Sequence, residues 1–477
     1  MHLTGGKIIL SASDLTGFLE CPHLTQQELA AARGEVTRPE RTDPELELIA
    51  RHGTEHEQAY LDAYVHAGKS VVPIESRGAT LDDYWRAREE TIDAMRSGAD
   101  VIYQAALFDG RWLGYADFLE RIGPLSYEVV DTKLARSAKA AALLQTSIYS
   151  ELLAAMQGLE PERMHLVLGD GTRQSFRVGD FRAYLRHAKA RLELVAGAPP
   201  ASTYPEPVEH CTVCRWNEVC EERWRDDDSL VLVAGLSRSQ ARKLGSAGVK
   251  TAEGLAKSDR DLSPTGISAN TMARLRLQAQ LQVRERATGR PDYELIRPER
   301  SDLGLALLPS PTEADLIFDI ESDPWALDGG LEYLFGVLDM AGNFTPMWAH
   351  DRDEEKVAFE NFVDLVIARL DANPEMHVYH YASYEPSALK RLMGRHGTRE
   401  GEVDRLLRHE VLVDLYRVVK QSLIASRESY SLKDVEALYM GKRQDAISEA
   451  GSSIVAYESW IDRHEQSILD AIAAYNE

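Results

Sequence analysis

Asp131 and Lys133 stand two residues apart in the stretch Tyr127-Glu128-Val129-Val130-Asp131-Thr132-Lys133, with Asp117 before them. Val129 and Val130 give this stretch strand character, so the carboxylate and the ammonium project from one face. Together with the second acid, they are what phosphodiester hydrolysis requires. Acids hold a divalent cation that polarises the phosphate and acidifies an attacking water, and a lysine stabilises charge in the transition state. Solvated surface strands carry such pairs too, so the pair alone does not define an activity.

Two other groups have the residue types for chemistry. Cys21 stands alone, while Cys211, Cys214 and Cys220 form a C-x2-C-x5-C cluster. Clustered thiols in a chain with no secretory features are more often metal ligands than disulfides, and four thiolates can complete a zinc or an iron–sulfur site. Farther on, Asp319 and Glu321 share a face of an apolar strand. Two buried acids are costly unless something positive sits between them, which leaves a metal site or a wet strand end.

The elements that must position these residues follow from periodicity and turn chemistry. Residues 11–22 predict a short capped helix presenting Cys21 at its end, and residues 45–66 a longer one carrying His56. Strands are expected at 101–108 and 112–119, joined by a turn at Asp109-Gly110, and at 128–133. A helix over 137–156 places Gln145 and Tyr149 on one face. A strand at 164–168 and a helix at 181–195 complete an α/β core. Residues 223–229 form a charged linker, followed by two short helices within 235–256. These resemble a helix-hairpin-helix around Ala247-Gly248-Val249-Lys250-Thr251, and a polar, basic segment follows at 284–300. A second α/β domain is expected to open with a strand at 315–324, continuing with strands at 333–338 and 378–381. Tyr384-Glu385-Pro386 is placed before its next helix.

At 477 residues the chain exceeds one ordinary core, and two to four domains are expected. Hydrophobic residues make up 44% and charged residues 27%, as in globular proteins, and no apolar run approaches the ~20 residues of a membrane span. The start lacks the apolar core of a signal peptide, so a cytoplasmic protein with no membrane partner is expected. A formal net charge of −23 argues against a surface coated with basic residues for nucleic acid, although a local basic channel can hide in that sum.

In order along the chain, His56, Asp117, Asp131-x-Lys133 and Gln145-x3-Tyr149 resemble the RecB-like branch of the PD-(D/E)XK nucleases. One cysteine before that core and three after it, with the opening Ser-x-Ser-x-Leu-x2-Phe-Leu-x-Cys-Pro, resemble its iron–sulfur subset. That subset includes CRISPR-associated RecB-like nucleases and a subunit of repair helicase-nucleases. The resemblance covers roughly residues 8–225. It implies His56, Asp117, Asp131 and the Thr132 carbonyl as ligands of Mg²⁺ or Mn²⁺, and Lys133 as the catalytic lysine. Gln145 and Tyr149 would form the helical motif that meets the DNA backbone. Cys21, Cys211, Cys214 and Cys220 would ligate a [4Fe–4S] cluster. Residues from about 315 onward resemble an RNase H-like 3′–5′ exonuclease of the DEDD group. Asp319 and Glu321 would be its first motif and Glu385 would stand where an aspartate is usual. Its last motif would begin at Tyr475-Asn476-Glu477 and need an acid farther on, so this domain is expected to be cut short.

The expected organisation is therefore a restriction-endonuclease-like α/β core over 1–225, a small helical connector over 226–300 and an RNase H-like α/β domain over 301–477. This order resembles the front of bacterial nuclease fusions with a superfamily 1 helicase. No Gly-x4-Gly-Lys-Ser/Thr pattern occurs, so ATP binding is not expected. The expected function is a metal-dependent deoxyribonuclease acting on single-stranded or unwound DNA in repair or defence, with a helicase domain or subunit as partner. The alternatives are a non-catalytic nucleic-acid-binding scaffold for a helicase and a ribonuclease.

Overall fold

Val101, Ile102, Phe118, Leu119, Val129 and Val130 are all fully buried, because both faces of the sheet they build are covered by helices. The computed structural model describes residues 1–297, 300–440 and 450–477, and the chain divides into two units, Met1–Glu221 and Glu222–Glu477.

The first unit opens with a hairpin of β1 (His2–Thr4) and β2 (Lys7–Ile9), then α1 (Ala12–Glu20), α2 (Pro22–Ala32) and the long α3 (Pro44–His66). β3 (Val71–Pro73), α4 (Leu81–Arg96), β4 (Val101–Phe108), β5 (Leu113–Gly123) and β6 (Ser126–Thr132) follow. After them come α5 (Ala140–Gln157), β7 (Arg163–Val167), β8 (Arg173–Arg177), α6 (Val178–Gly197) and α7 (Asn217–Asp226). The six-stranded sheet has the order β3-β4-β5-β6-β7-β8. Its β6–β7 pair is parallel, and α5 supplies the crossover that a parallel pair needs. One face packs Val129 and Leu119 against Ile148 and Leu153 of α5. The other packs Val130, Phe118 and Val167 against Tyr60, Leu61 and Tyr64 of α3. α1 is started by a reciprocal box: Ser11 Oγ accepts from the Asp14 N–H, and Asp14 accepts from the Ser11 N–H at 2.8 Å.

In the second unit, α8 (Arg238–Ser246), α9 (Ala252–Ala256) and α10 (Ala269–Thr288) enclose a core of Leu230, Leu244, Leu255, Met272 and Leu275. β9 (Tyr293–Leu295) comes next, then β10 (Leu316–Asp323), β11 (Leu331–Asp339), β12 (Phe344–Trp348), α11 (Arg352–Ala372), β13 (Val378–His380), α12 (Tyr384–His396), α13 (Glu400–Arg408) and β14 (Leu412–Asp414). α14 (Leu415–Ser422), β15 (Leu423–Ala425), α15 (Leu432–Glu436), α16 (Ala450–Arg463) and α17 (Gln466–Asn476) follow. The central sheet has the order β12-β11-β10-β13-β14, and β15 pairs with β9 in a separate ribbon. Phe318, Phe335, Phe359 and Phe362 form the aromatic centre of its core, with the Phe318 and Phe362 rings stacked at 3.8 Å. Among the described residues no helix is long and apolar enough to cross a membrane.

Several elements differ from the sequence expectation for identifiable reasons. The supposed linker at 223–229 is helical to Asp226, supported by an Arg223–Asp227 pair at 3.2 Å. The basic segment at 284–300 begins as the last turns of α10, and residues 298–299 lie outside the described residues. Tyr384-Glu385-Pro386 is not ahead of a helix but is the first turn of α12, where a proline forfeits no intrahelical hydrogen bond. The helical connector expected over 226–300 lies within the second unit.

Candidate functional site

β5, β6 and α5 bring the sequence-predicted residues of the first unit together. Thr132 donates to Asp117 Oδ2 through both its N–H and its hydroxyl, each at 2.8 Å. Lys133 Nζ pairs with Asp131 Oδ2. Asp131 is fully buried, and neither of its oxygens receives a well-directed hydrogen bond. Burial, and then the charge of Asp117, push its carboxyl up to about 7 against the pull of Lys133. Burial works against the Lys133 charge, but Asp131 and Asp117 outweigh it and hold the ammonium above its usual value. Gln145 Nε2 donates to the Tyr149 hydroxyl at 3.0 Å, and burial, followed by the charge of Asp131, raises that hydroxyl's pKa. The His56 ring bonds the Val167 carbonyl at 3.4 Å, and the Lys133 N–H bonds the same carbonyl at 2.8 Å, so α3 sets His56 beside the end of β6. Glu128 is separate. It alternates to the opposite face, where it bonds His165 at 2.9 Å and the Arg163 N–H at 2.8 Å.

Two clefts flank Gln145. One of about 220 Å³ is lined by Ser13, Thr16, Lys133, Lys139 and Gln145. Another of about 340 Å³ is lined by Ser11, Ser13, Tyr115, Gln145 and Tyr149. Lys133 thus opens onto a cleft that is largely apolar, walled by alanines with Leu166 and Leu168, and that carries the hydroxyls of Ser13 and Thr16 and the Lys139 ammonium.

Sequence reasoning passed over Glu57, Tyr103 and Gln104. Gln104 Nε2 donates to Glu57 Oε1 at 2.6 Å. Burial, and then a hydrogen bond with Glu57, push the Tyr103 hydroxyl up to about 12, and the charges of Glu57 and Asp117 add to it. Glu57 also acts on Lys133. The available signal was its place next to His56.

The four cysteines are half-buried and unpaired. Cys21 Sγ accepts the Leu24 N–H and Cys211 Sγ the Val208 N–H, each at 3.4 Å. Burial first, then the charges of Cys214, Cys21 and Cys211, push the Cys220 thiol up to about 12.

In the second unit β10 presents Asp319 and Glu321, and the first turn of α12 presents Glu385. Burial, then Glu321 and Glu385, raise the Asp319 carboxyl well above its ordinary value. Glu385 Oε2 is buried without a hydrogen-bond partner, with His380 Nδ1 3.4 Å away. Asn476 of α17 donates to Asp319 Oδ2 at 2.8 Å. Its amide fits because Gly336, opposite Asp319 on β11, has no side chain: a Cβ there would lie 1.7 Å from Asn476 Oδ1.

Among the described residues, no three or more histidine, cysteine, aspartate or glutamate side chains stand in a metal-holding arrangement. The donor chemistry of both acid groups nevertheless fits a divalent cation. In each a buried carboxylate, Asp131 or Glu321, is raised by burial and also by a neighbouring acid, and Asp131 Oδ1 and Glu385 Oε2 have no hydrogen-bond partner, a deficit that a cation removes.

The mixed α/β fold of the second unit carries an RNase H-like domain: a family model described as RNase_H superfamily matches residues 316–477. That stretch contains Asp319, Glu321 and Glu385, and the match points to a nuclease-type fold. No curated protein matches the chain.

Proposed function

We propose that the protein is a divalent-metal-dependent nuclease hydrolysing phosphodiester bonds of single-stranded or unwound DNA in repair or defence, with the RecB-like PD-(D/E)XK site of the first unit as its main centre. The observation that carries this is Asp131, a wholly buried carboxylate whose one cationic partner is the Lys133 ammonium and whose pKa is raised by burial and by Asp117. A buried acid pair of this kind is poorly explained as a stabilising device. His56, Asp117, Asp131 and the Thr132 carbonyl would hold Mg²⁺ or Mn²⁺. When bound, the cation neutralises phosphate charge and lowers the pKa of an attacking water. Lys133 stabilises the charge that develops on the phosphate, and its pairing with Asp131 keeps it protonated for that task. Gln145 and Tyr149 orient the backbone of a strand lying in the flanking clefts.

The four cysteines would carry a [4Fe–4S] cluster. The backbone N–H groups that donate to Cys21 and Cys211 support this, since hydrogen bonds to sulfur accompany such sites. A second reading, hydrolysis at Asp319, Glu321 and Glu385, is favoured by the family match over 316–477.

An end-labelled oligonucleotide assay in Mn²⁺, with single-stranded DNA, duplex DNA and RNA, tests these readings. Cleavage of single-stranded DNA lost with Lys133→Ala and kept with Asp319→Ala is the expected result. Loss only with Asp319→Ala moves the chemistry to the second unit, and no cleavage of any substrate leaves a nucleic-acid-binding scaffold.

A further inference from the structure

Within β4 one residue breaks the strand's own geometry. Gln104 has φ +54°, in the left-handed region that non-glycine residues rarely occupy, while Tyr103 and Ala105 pair regularly with Phe118 and Ala116 of β5. By register Gln104 stands opposite Asp117, and the ladder lapses at that one step. Such outliers persist only where the surroundings over-determine them, and they concentrate at functional sites.

The surroundings of Gln104 are specific. Its Nε2 donates to Glu57 Oε1 at 2.6 Å, and its Oε1 accepts from Arg77 at 3.5 Å, so both ends of the amide are oriented. The Glu57 charge also helps to raise the Tyr103 hydroxyl and the Lys133 ammonium. On α3 it follows His56 directly, and the two side chains meet different strands: His56 reaches the Val167 carbonyl of β7 and Glu57 the Gln104 amide of β4. A carboxylate whose only task was solvation would need none of this.

We propose that Glu57 is a further acid of the first-unit site, strengthening its hold on a divalent cation, and that Gln104 is the positioning residue that aims it. This rests on the metal-dependent reading of that site. The strained turn of β4 lifts the Gln104 amide out of the ladder opposite Asp117 and delivers it to Glu57. In effect it joins α3 to the strand pair that carries the acids.

The test is an electron paramagnetic resonance titration of Mn²⁺ into the full chain. All proteins carry Asp319→Ala, so that the second acid group contributes nothing. Glu57→Gln and Gln104→Gly are compared with Lys133→Ala and with the otherwise unsubstituted protein, alongside thermal melts and single-stranded DNA cleavage. Both test variants should weaken Mn²⁺ binding by roughly 10- to 100-fold, the usual cost of losing a supporting partner at a metal site. Gln104→Gly should do so without lowering the melting temperature, because glycine adopts this φ without strain. Wild-type Mn²⁺ affinity in both variants overturns the proposal while leaving the nuclease reading intact. A melting temperature that drops with Mn²⁺ affinity unchanged marks the Gln104–Glu57 pair as a structural tie and also overturns it. If the unsubstituted site binds no Mn²⁺ and cleaves nothing, the metal-dependent reading falls and this inference falls with it.

Discussion

Gly114 on β5 lies against the ring of Tyr149 on α5: a Cβ at position 114 would stand 2.3 Å from Cε1 and 2.7 Å from Cδ1 of that ring. The strand carrying Asp117 is thereby seated on the helix carrying Gln145 and Tyr149. Gly114→Ala forces the ring aside, and the Gln145 amide bonded to its hydroxyl moves with it. The expected cost is about 1–3 kcal/mol of stability, the range for overpacking a closed core, with a fall in cleavage rate. Denaturant unfolding and the cleavage assay measure the two effects. Unchanged values for both would show that the ring has room to yield.

Lys133→Ala removes the counter-charge of a buried carboxylate as well as a transition-state donor. Cleavage should fall by about 10²–10³-fold or more, as for loss of one preorganised charge-stabilising group. Asp131, with burial and Asp117 already raising its pKa, takes up a proton rather than unfolding the sheet. A far-ultraviolet circular dichroism spectrum like that of the unsubstituted protein, together with lost cleavage, is the expected pair of results.

Glu355 gives the second unit its acid limit. Burial by itself would raise its pKa. It accepts from the Glu332 N–H at 3.0 Å, Arg352 at 2.8 Å, Arg395 at 3.0 Å and His396 at 2.8 Å, and the Glu332 and Arg352 hydrogen bonds with the Arg395 charge bring it down to about 2 from an ordinary 4.5. Burial, and then its hydrogen bond with Glu355, raise the Glu332 carboxyl above its ordinary value. A depressed carboxyl contributes stability that is complete above its unfolded value and is lost as pH falls through the folded one. The contribution of Glu355 should therefore disappear between about pH 4.5 and pH 2. Glu355→Ala should cost about 1–3 kcal/mol near neutral pH, because it removes the shared acceptor of Arg352, Arg395 and His396, and it should flatten the acid limb of a stability–pH curve.

The cysteine group makes a prediction about composition. Protein purified without oxygen should contain about four iron and four sulfide per chain, the stoichiometry of a [4Fe–4S] cluster. Cys220→Ser should lose both, together with the visible absorbance. Zinc at one per chain with substoichiometric iron would replace the cluster with a zinc site.

Local pattern foretold much of the first unit. The strand runs over 101–108 and 128–133, the Asp109-Gly110 turn and the helical spacing of Gln145 and Tyr149 all emerge in the fold, because strand propensity, helical period and turn chemistry act over a few residues. β3 and β8 stayed hidden. Each is only three to five residues long, too short to display a period. Glu385 was set outside its helix, because a proline two residues into a helix resembles a breaker in sequence and is harmless in the first turn.

By itself the sequence determined the residue types capable of chemistry, their order, and the strands and helices that carry them, because propensity and hydrophobic period are local properties. Only the tertiary structure decided which side chains meet. Asn476 reaches Asp319 across 157 positions, Glu57 meets Gln104 across 47, and Glu355 gathers cations from two helices. Those meetings depend on strand register, on a left-handed residue in mid-strand and on packing between distant elements, which no local window contains.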